Sequence, residues 1–467
     1  MQEQTSLQSE KTTKWIKTSI TVRMITVGLL TLLFSIPLFF IKNLINERQL
    51  RQKEVVKEIS QQWGNEVVLY GPILKIPYKS FEKKKIFNSK NNTSSVEMIE
   101  SIDYVYALPE KLNIESTIDP QEKKRGIYKT AVYKSDIHIS GKFENPDFSH
   151  FDINTANILW NKSKLIFKTS NLKGMNSITE LKLNDTTYPL FSNYNTSVNR
   201  NSNNLPYQHN KQVVLHELES KFVKKSDLPL NNKKSFALDM KINGSEQIQF
   251  VPIGKETLVN VKSNWKTANF IGEFLPYNED KITTTGFDAK WKVLALNRPF
   301  SQQFKDFLPN LQPYLFGVNF MIPVDEYQKS ERSIKYGFLV IGLTFLIFFL
   351  IQTISKIPIH PFQYLMIGLA LTMFYTLLIS ISEHSTFLKA YIIGSVAVIG
   401  LITFYTQAIL KRRKFTILIT SSLVALYVFI FVIIQLESFA LLVGSIGLFL
   451  ILAAVMFISR KIDWNNP

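Results

Sequence analysis

The side chains able to do chemistry are few and scattered. The chain has six histidines, at 138, 150, 209, 216, 360 and 384, and no cysteine in its 467 residues. Without cysteine there is no disulfide, no thiolate-bound zinc or iron–sulfur cluster and no thiol nucleophile. No histidine stands in an H-E-x-x-H or comparable ligand spacing, and His216-Glu217 is a bare dipeptide. Gly254-Lys255 is followed by Glu256 where a phosphate-cradling loop needs Ser or Thr, and there is no G-x-S-x-G nucleophile turn. The S-x-x-K of Ser80–Lys83 has none of its partner motifs. No catalytic, cofactor-binding or metal-ligating set is therefore expected. Ion pairing beside a membrane is a different kind of chemistry. It is open to Glu331, Arg332 and Lys335 on one segment and to Glu383 and His384 on another.

Those five residues border apolar runs. From Tyr336 to Ser355 no ionisable side chain occurs, close to the ~20 residues a helix needs to cross a bilayer. Four more such runs follow, at Phe362–Ser382, Ala390–Leu410, Phe415–Leu436 and Ser438–Ser459. Met24–Ile41 is a further one, preceded by Arg23 and followed by KNLINERQL with no small-residue cleavage site, which reads as an uncleaved signal anchor kinked at Pro37. Gln352, Gln407 and Gln435 are the strongest polar groups within the runs and are expected to hydrogen-bond between helices. Ala390/Gly394 and Ala440/Gly444 are small-xxx-small pairs suited to close packing inside the bundle.

Basic residues collect at alternate ends of these runs. Lys11, Lys14, Lys17 and Arg23, then Lys356, then Lys411–Lys414, then Arg460-Lys461 mark one side. Glu383, His384, Lys389 and Glu437 mark the other. Six crossings with both termini in the cytoplasm satisfy the positive-inside rule. The expected organisation is a cytoplasmic N-terminus at 1–23, a transmembrane anchor at 24–41, a periplasmic domain at 42–335, a five-helix block at 336–459 and a cytoplasmic tail at 460–467. Within the periplasmic domain, 42–63 is read as a helical neck stopped by Gly64.

Beyond Val67 the pattern alternates. Leu112, Ile114, Ser116 and Ile118 do so, as do Ile127, Lys129, Ala131 and Tyr133, and Phe236, Leu238, Met240 and Ile242, the last run ending at a turn-like Asn243-Gly244-Ser245. Such period-2 runs point to strands with one dry face. The fold class expected is a six-helix transmembrane α bundle plus a large extracytoplasmic β-rich domain, an antiparallel two-sheet sandwich. Ser80–Ser95 and Ser192–Asn204, rich in Asn, Ser and Lys, read as loose insertions. The net charge of +17, from 54 Lys and Arg against 37 Asp and Glu, is spread rather than clustered. It does not indicate nucleic acid. Partners expected are the lipid bilayer, an anionic envelope lipid or polymer, or another envelope protein.

Several stretches together resemble the CreD family of bacterial inner-membrane proteins. They are RMITVGLLTLLFSIPLFFI, ERQLRQKEVVKEISQQWG, GPILKIPY, YALPEKLNIES, SFALDMKINGSEQIQFVPIG, FIGEFLPY, GFDAKWKVLALNRPF, FGVNFMIPVDEYQKSERSIKYG and SISEHSTFLKAYIIG, in family order. The resemblance implies an envelope-stress protein supporting cell-envelope integrity and tolerance of colicins or cell-wall-directed agents. It brings no established catalytic residues. Binding through the outer domain is the leading reading. A transport or flippase-like accessory and an enzyme acting on envelope material stand as alternatives. Glu383 and His384 are expected to contact the segment of Glu331, Arg332 and Lys335, or the base of the outer domain.

Overall fold

A computed structural model describes residues 20–88, 93–193, 213–230, 232–320, 322, 325–355, 357–436 and 439–460. Lys11, Lys14, Lys17, most of the 192–204 insertion, His209, Lys356, Glu437 and Lys461 lie outside the described residues. The chain divides into two compact units. One comprises Met1–Lys53 and Val324–Pro467 and is helical; the other, Glu54–Pro323, is built of strands.

In the β unit the described strands are β1 (Val67–Asn88), β2 (Thr93–Ala107), β3 (Lys111–Arg125), β4 (Tyr128–Phe143), β5 (Lys164–Thr169), β6 (Glu180–Leu183), β7 (Thr186–Ser192), β8 (His216–Ser220), β9 (Lys234–Ser245), β10 (Gln247–Phe250), β11 (Glu256–Ser263), β12 (Ala268–Gly272), β13 (Phe287–Leu294), β14 (Gln303–Lys305) and β15 (Phe316–Phe320). They join in one path, β12-β15-β10-β1-β5-β8-β7-β6-β9-β4-β3-β11-β13, with β2 bonded to β1 and β14. The first and last strands of the path approach each other through their rings. Phe270 of β12 lies 5.9 Å from Phe287 and 5.8 Å from Trp291 of β13. The expected two-sheet sandwich is thus corrected to a single, nearly closed, barrel-like sheet. It is also mixed rather than antiparallel, because β1 runs parallel to β10 and β3 parallel to β11.

The alternation itself was a true signal. Leu112, Ile114 and Ile118 of β3 and Phe236, Leu238, Met240 and Ile242 of β9 all enter one core with Phe250, Trp291 and Phe316. Period 2 reports a dry face; it does not report whether two dry faces belong to two sheets or to one sheet that curls. The curl has local causes. In β1 the register with β5 shifts between Tyr70 and Ile73, a bulge that bends the strand. Asn243-Gly244-Ser245 is not a turn but the end of β9, with Gly244 facing Tyr133. A Cβ on Gly244 would lie 2.4 Å from the Tyr133 ring. The corner falls one residue later, at Glu246 with φ 62°, from which β10 leaves to pair with β1 and β15.

Ser80–Ser95 is corrected as well. The ladder between β1 and β2 continues from Leu74↔Ala107 out to Asn88↔Thr93, so the described residues of the stretch, 80–88 and 93–95, are paired strand. Paired backbone, not apolar content, sustains it, and Phe81, Met98 and Ile102 on it remain about half exposed.

In the helical unit, α1 (Ile20–Leu33) is separated by a break at Phe34 from α2 (Ser35–Trp63), whose residues from Glu54 on belong to the β unit. Pro37 has no N–H for the Leu33 carbonyl and its ring crowds that group, so the bend appears a turn ahead of the proline. Gly64, with φ +97°, ends α2 as expected. After the β unit come α3 (Asp325–Lys335), α4 (Gly337–Ser355), α5 (Pro361–Ser382), α6 (Phe387–Leu410), α7 (Arg413–Gln435) and α8 (Ala440–Ser459). Six helical segments among the described residues are long and apolar enough to cross a membrane: Ile20–Trp63 and α4 to α8. Their core gathers Phe34, Phe345, Phe348, Leu371, Phe374, Tyr391, Leu423 and Tyr427.

The small and polar residues singled out within the runs behave unequally. Ala390 is buried and Gly394 lies against Phe374, as close internal packing requires. Gly444 touches only Ile433, whereas Gly447 sits under the Phe429 ring. Gln352 accepts from Tyr364 Oη at 2.8 Å and donates to the Ile359 carbonyl at 3.4 Å. Gln407 and Gln435 are exposed near helix ends.

Candidate functional site

In the helical unit, α3 is amphipathic with a reversed look: small and apolar residues inward, charge outward. Ser330, Ser333 and Ile334 are buried, and the helix contacts α4, α5, α6 and α7. Gln328, Glu331, Arg332 and Lys335 recur at i, i+3, i+4 and i+7, which puts them on the opposite face. Gln49, Gln52 and Lys53 do the same on α2. These two polar faces line one hollow of about 430 Å³, together with Tyr327. Glu331 and Lys335 pair across one turn at 3.1 Å.

Glu383 closes α5, donating its backbone N–H to the Ile379 carbonyl. Its carboxylate accepts from Arg48 Nε of α2 at 3.3 Å and is only 15% exposed. His384 is exposed beside it. The structure therefore brings Glu331 together with Lys335, and Glu383 together with Arg48. Arg48 carried no distinguishing spacing in the sequence. The signal that was available is the i, i+3, i+4 repeat of Gln49, Gln52 and Lys53, polar where the neck's other face is apolar.

The β unit holds a partly buried ionic network that sequence reading missed. Glu219 of β8 accepts from Lys75 at 3.0 Å and from Lys164 at 2.8 Å. Glu217 pairs with Lys168 at 3.1 Å and with Lys75 at 3.7 Å. Burial alone would raise the Glu219 carboxyl, but the two lysine hydrogen bonds outweigh it and bring the group down to about 2. Burial would lower Lys75, and its bond to Glu219 and the neighbouring carboxylates instead raise it. Three strands of distant sequence supply these residues, so no spacing announces them.

Arg298, in the NRPF stretch, is also buried, at 4% exposure. It donates to the carbonyls of Phe300 (3.0 Å), Gly254 (3.1 Å) and Ile253 (3.3 Å) and to Gln302 Oε1 (2.5 Å). Its guanidinium stacks 3.9 Å from the Phe300 ring centre. Burial lowers it to about 10, still charged at neutral pH. This is a clamp on two loops rather than a reactive group.

A second, open hollow of about 720 Å³ lies on the outward faces of β3, β4, β6 and β9. Glu115, Asp136, His138, Glu180, Asp239 and Lys241 line it. His138 Nδ1 is 2.6 Å from Asp239 Oδ1 across the ladder. Ile178, on its rim, is 81% exposed. No group of three or more His, Asp or Glu able to hold a metal occurs among the described residues.

A helical unit with six apolar segments, joined in one chain to a barrel-like β unit, defines a multi-pass membrane protein carrying a large water-facing domain. The family described as "Inner membrane protein CreD" matches residues 19–465, and the chain belongs to that family. It is 28% identical over 435 residues to the inner membrane protein CreD of Escherichia coli strain K12, covering 93% of this chain and 91% of that protein. The expected resemblance is thereby established, and with it a place in the inner membrane.

Proposed function

We propose that this chain supports the integrity of the cell envelope, and tolerance of colicins or cell-wall-directed agents, by binding an envelope component through its β unit. The β unit faces the periplasm and both termini the cytoplasm. The observation that carries the reading is the open hollow on β3, β4, β6 and β9, where a bare isoleucine sits among carboxylates, a histidine and lysines. A concave surface lined by hydrogen-bonding groups of both signs around a few apolar side chains suits recognition of a polymer or protein. Binding is favoured over catalysis because the perturbed carboxylate and guanidinium of the β unit are already held in place: Glu219 by two lysines, Arg298 by carbonyls. The test is made in cells lacking the protein and complemented with variants of equal abundance. Asp136→Ala/His138→Ala, on exposed side chains, should lower tolerance of a cell-wall-directed agent. A photo-crosslinker replacing Ile178 should yield an adduct that the double variant diminishes. Wild-type tolerance together with an unchanged adduct pattern overturns the reading.

A further inference from the structure

The hollow between α2 and α3 lies within the helical unit alone and has a different chemistry from the one on the β unit. Three cations line it, Lys53, Arg332 and Lys335, against one carboxylate, Glu331. That carboxylate is engaged by Lys335 at 3.1 Å. Lys53 and Arg332 have no carboxylate partner among the described residues. Gln49, Gln52 and Gln328 add neutral amide donors from both walls. A site with surplus positive charge, a planar guanidinium and several amides converging from two helices matches a tetrahedral oxyanion. Arginine meets two of its oxygens at once and lysine neutralises it as a point charge.

Its level along the helices indicates where such an anion comes from. Lys335 is two residues ahead of Gly337, where α4 begins its apolar span. On α2, Arg48 is tied to Glu383 at the end of α5, and Lys53 stands little more than one turn further along. The hollow therefore sits at the ends of the spans, at the depth where a lipid presents its phosphate to the water-facing ends of the helices. Its volume of about 430 Å³ takes a headgroup.

We propose that this hollow binds a phosphate-bearing anion, of the kind that an acidic phospholipid headgroup presents, through Lys53 and Arg332 with amide support from Gln49 and Gln52. Both cations are drawn together by the anion, so binding ties α2 to α3 across the gap.

The experiment uses the full-length chain in detergent, stripped of lipid, with binding followed by native mass spectrometry and by melting temperature. Phosphatidylglycerol should be retained at least about tenfold more tightly than phosphatidylcholine. Lys53→Gln/Arg332→Gln should weaken phosphatidylglycerol by about tenfold or more, while Lys53→Arg retains it. Because Lys53 is exposed, Lys53→Glu leaves the fold intact and should abolish the preference even if the double variant fails to fold. Millimolar inorganic phosphate separates the sources. If phosphatidylglycerol resists displacement, the lipid is the ligand; if phosphate displaces it and raises the melting temperature, the site stands and the free ion fills it. Equal retention of phosphatidylglycerol by wild type and Lys53→Glu, or no preference over phosphatidylcholine, overturns the proposal.

Discussion

Glu219 shows how a carboxylate becomes structural at the scale of one residue. Its carboxyl titrates from about 2 in the folded chain against an ordinary 4.5. A depressed folded value means the group contributes stability above the unfolded value and loses that contribution as pH falls through the folded one. Glu219→Gln removes the charge and leaves Lys75 and Lys164 facing each other, partly buried. A cost of about 2 kcal/mol at pH 7 is expected, below that of breaking a wholly buried pair. Measured by melting temperature on the full chain, the gap between wild type and variant should narrow as pH falls from about 4.5 toward about 2. A gap that stays constant over that range means that the pair contributes nothing through its charge. None of this was legible in the sequence. Lys75, Lys164 and Glu219 lie on three strands, and only the β1–β5–β8 ladder brings them together. Arg298 was half legible: its NRPF stretch carries part of the family resemblance, but the carbonyls it clamps lie more than forty residues away in Ile253 and Gly254.

Elements differ in how plainly they show themselves. Apolar runs are a length signal, and every one expected proved to be a helix. The hairpin of β1 and β2 was invisible because a solvated ribbon needs no apolar stripe; its evidence is a backbone ladder. As a helix of its own, α3 was hidden too, since the residues it buries are mainly serines and its visible face is charged. Packing between helices was legible only where small residues recur. At Gly368 a Cβ would lie 2.1 Å from the ring of Phe34, at the break between α1 and α2. Gly368→Leu should therefore cost about 1–3 kcal/mol by overpacking and lower the melting temperature of the full chain in detergent. Gly400→Leu is the control, because nothing lies within 4 Å of a Cβ at that position. Equal melting of the two variants removes the packing account, and partial rescue of Gly368→Leu by Phe34→Ala supports it.

At the scale of the whole molecule, the closure of the sheet and the direction of the crossings lie at opposite ends of what a sequence can tell. Closure depends on which strands find each other far along the chain, as Val67 of β1 with Ile248 of β10 and Lys111 of β3 with Glu256 of β11; alternation carries no record of that. Direction depends on charge counted over short loops, which is local. Arg23 stands in the first turn of α1, Lys411 and Arg412 join α6 to α7 with Arg413 and Lys414 opening α7, and Arg460 follows α8. Each position is separated from the last by an even number of apolar segments, so six crossings would put all three on one side. By the same count the link between α5 and α6, which carries Glu383 and His384, and the segment between the first span and the second are expected on the other side. Basic residues in short loops are retained on the cytoplasmic side, while a long domain crosses largely regardless of its own charge. Reporter fusions placed within 411–414 and after Arg460 should accordingly read cytoplasmic, and fusions within 100–300 periplasmic. Replacing Lys411 to Lys414 by asparagine should weaken the cytoplasmic signal at that loop more than at Arg460, because each loop votes separately. A cytoplasmic signal from 100–300 in the intact chain reverses the orientation and removes the periplasmic site of action from the proposed function.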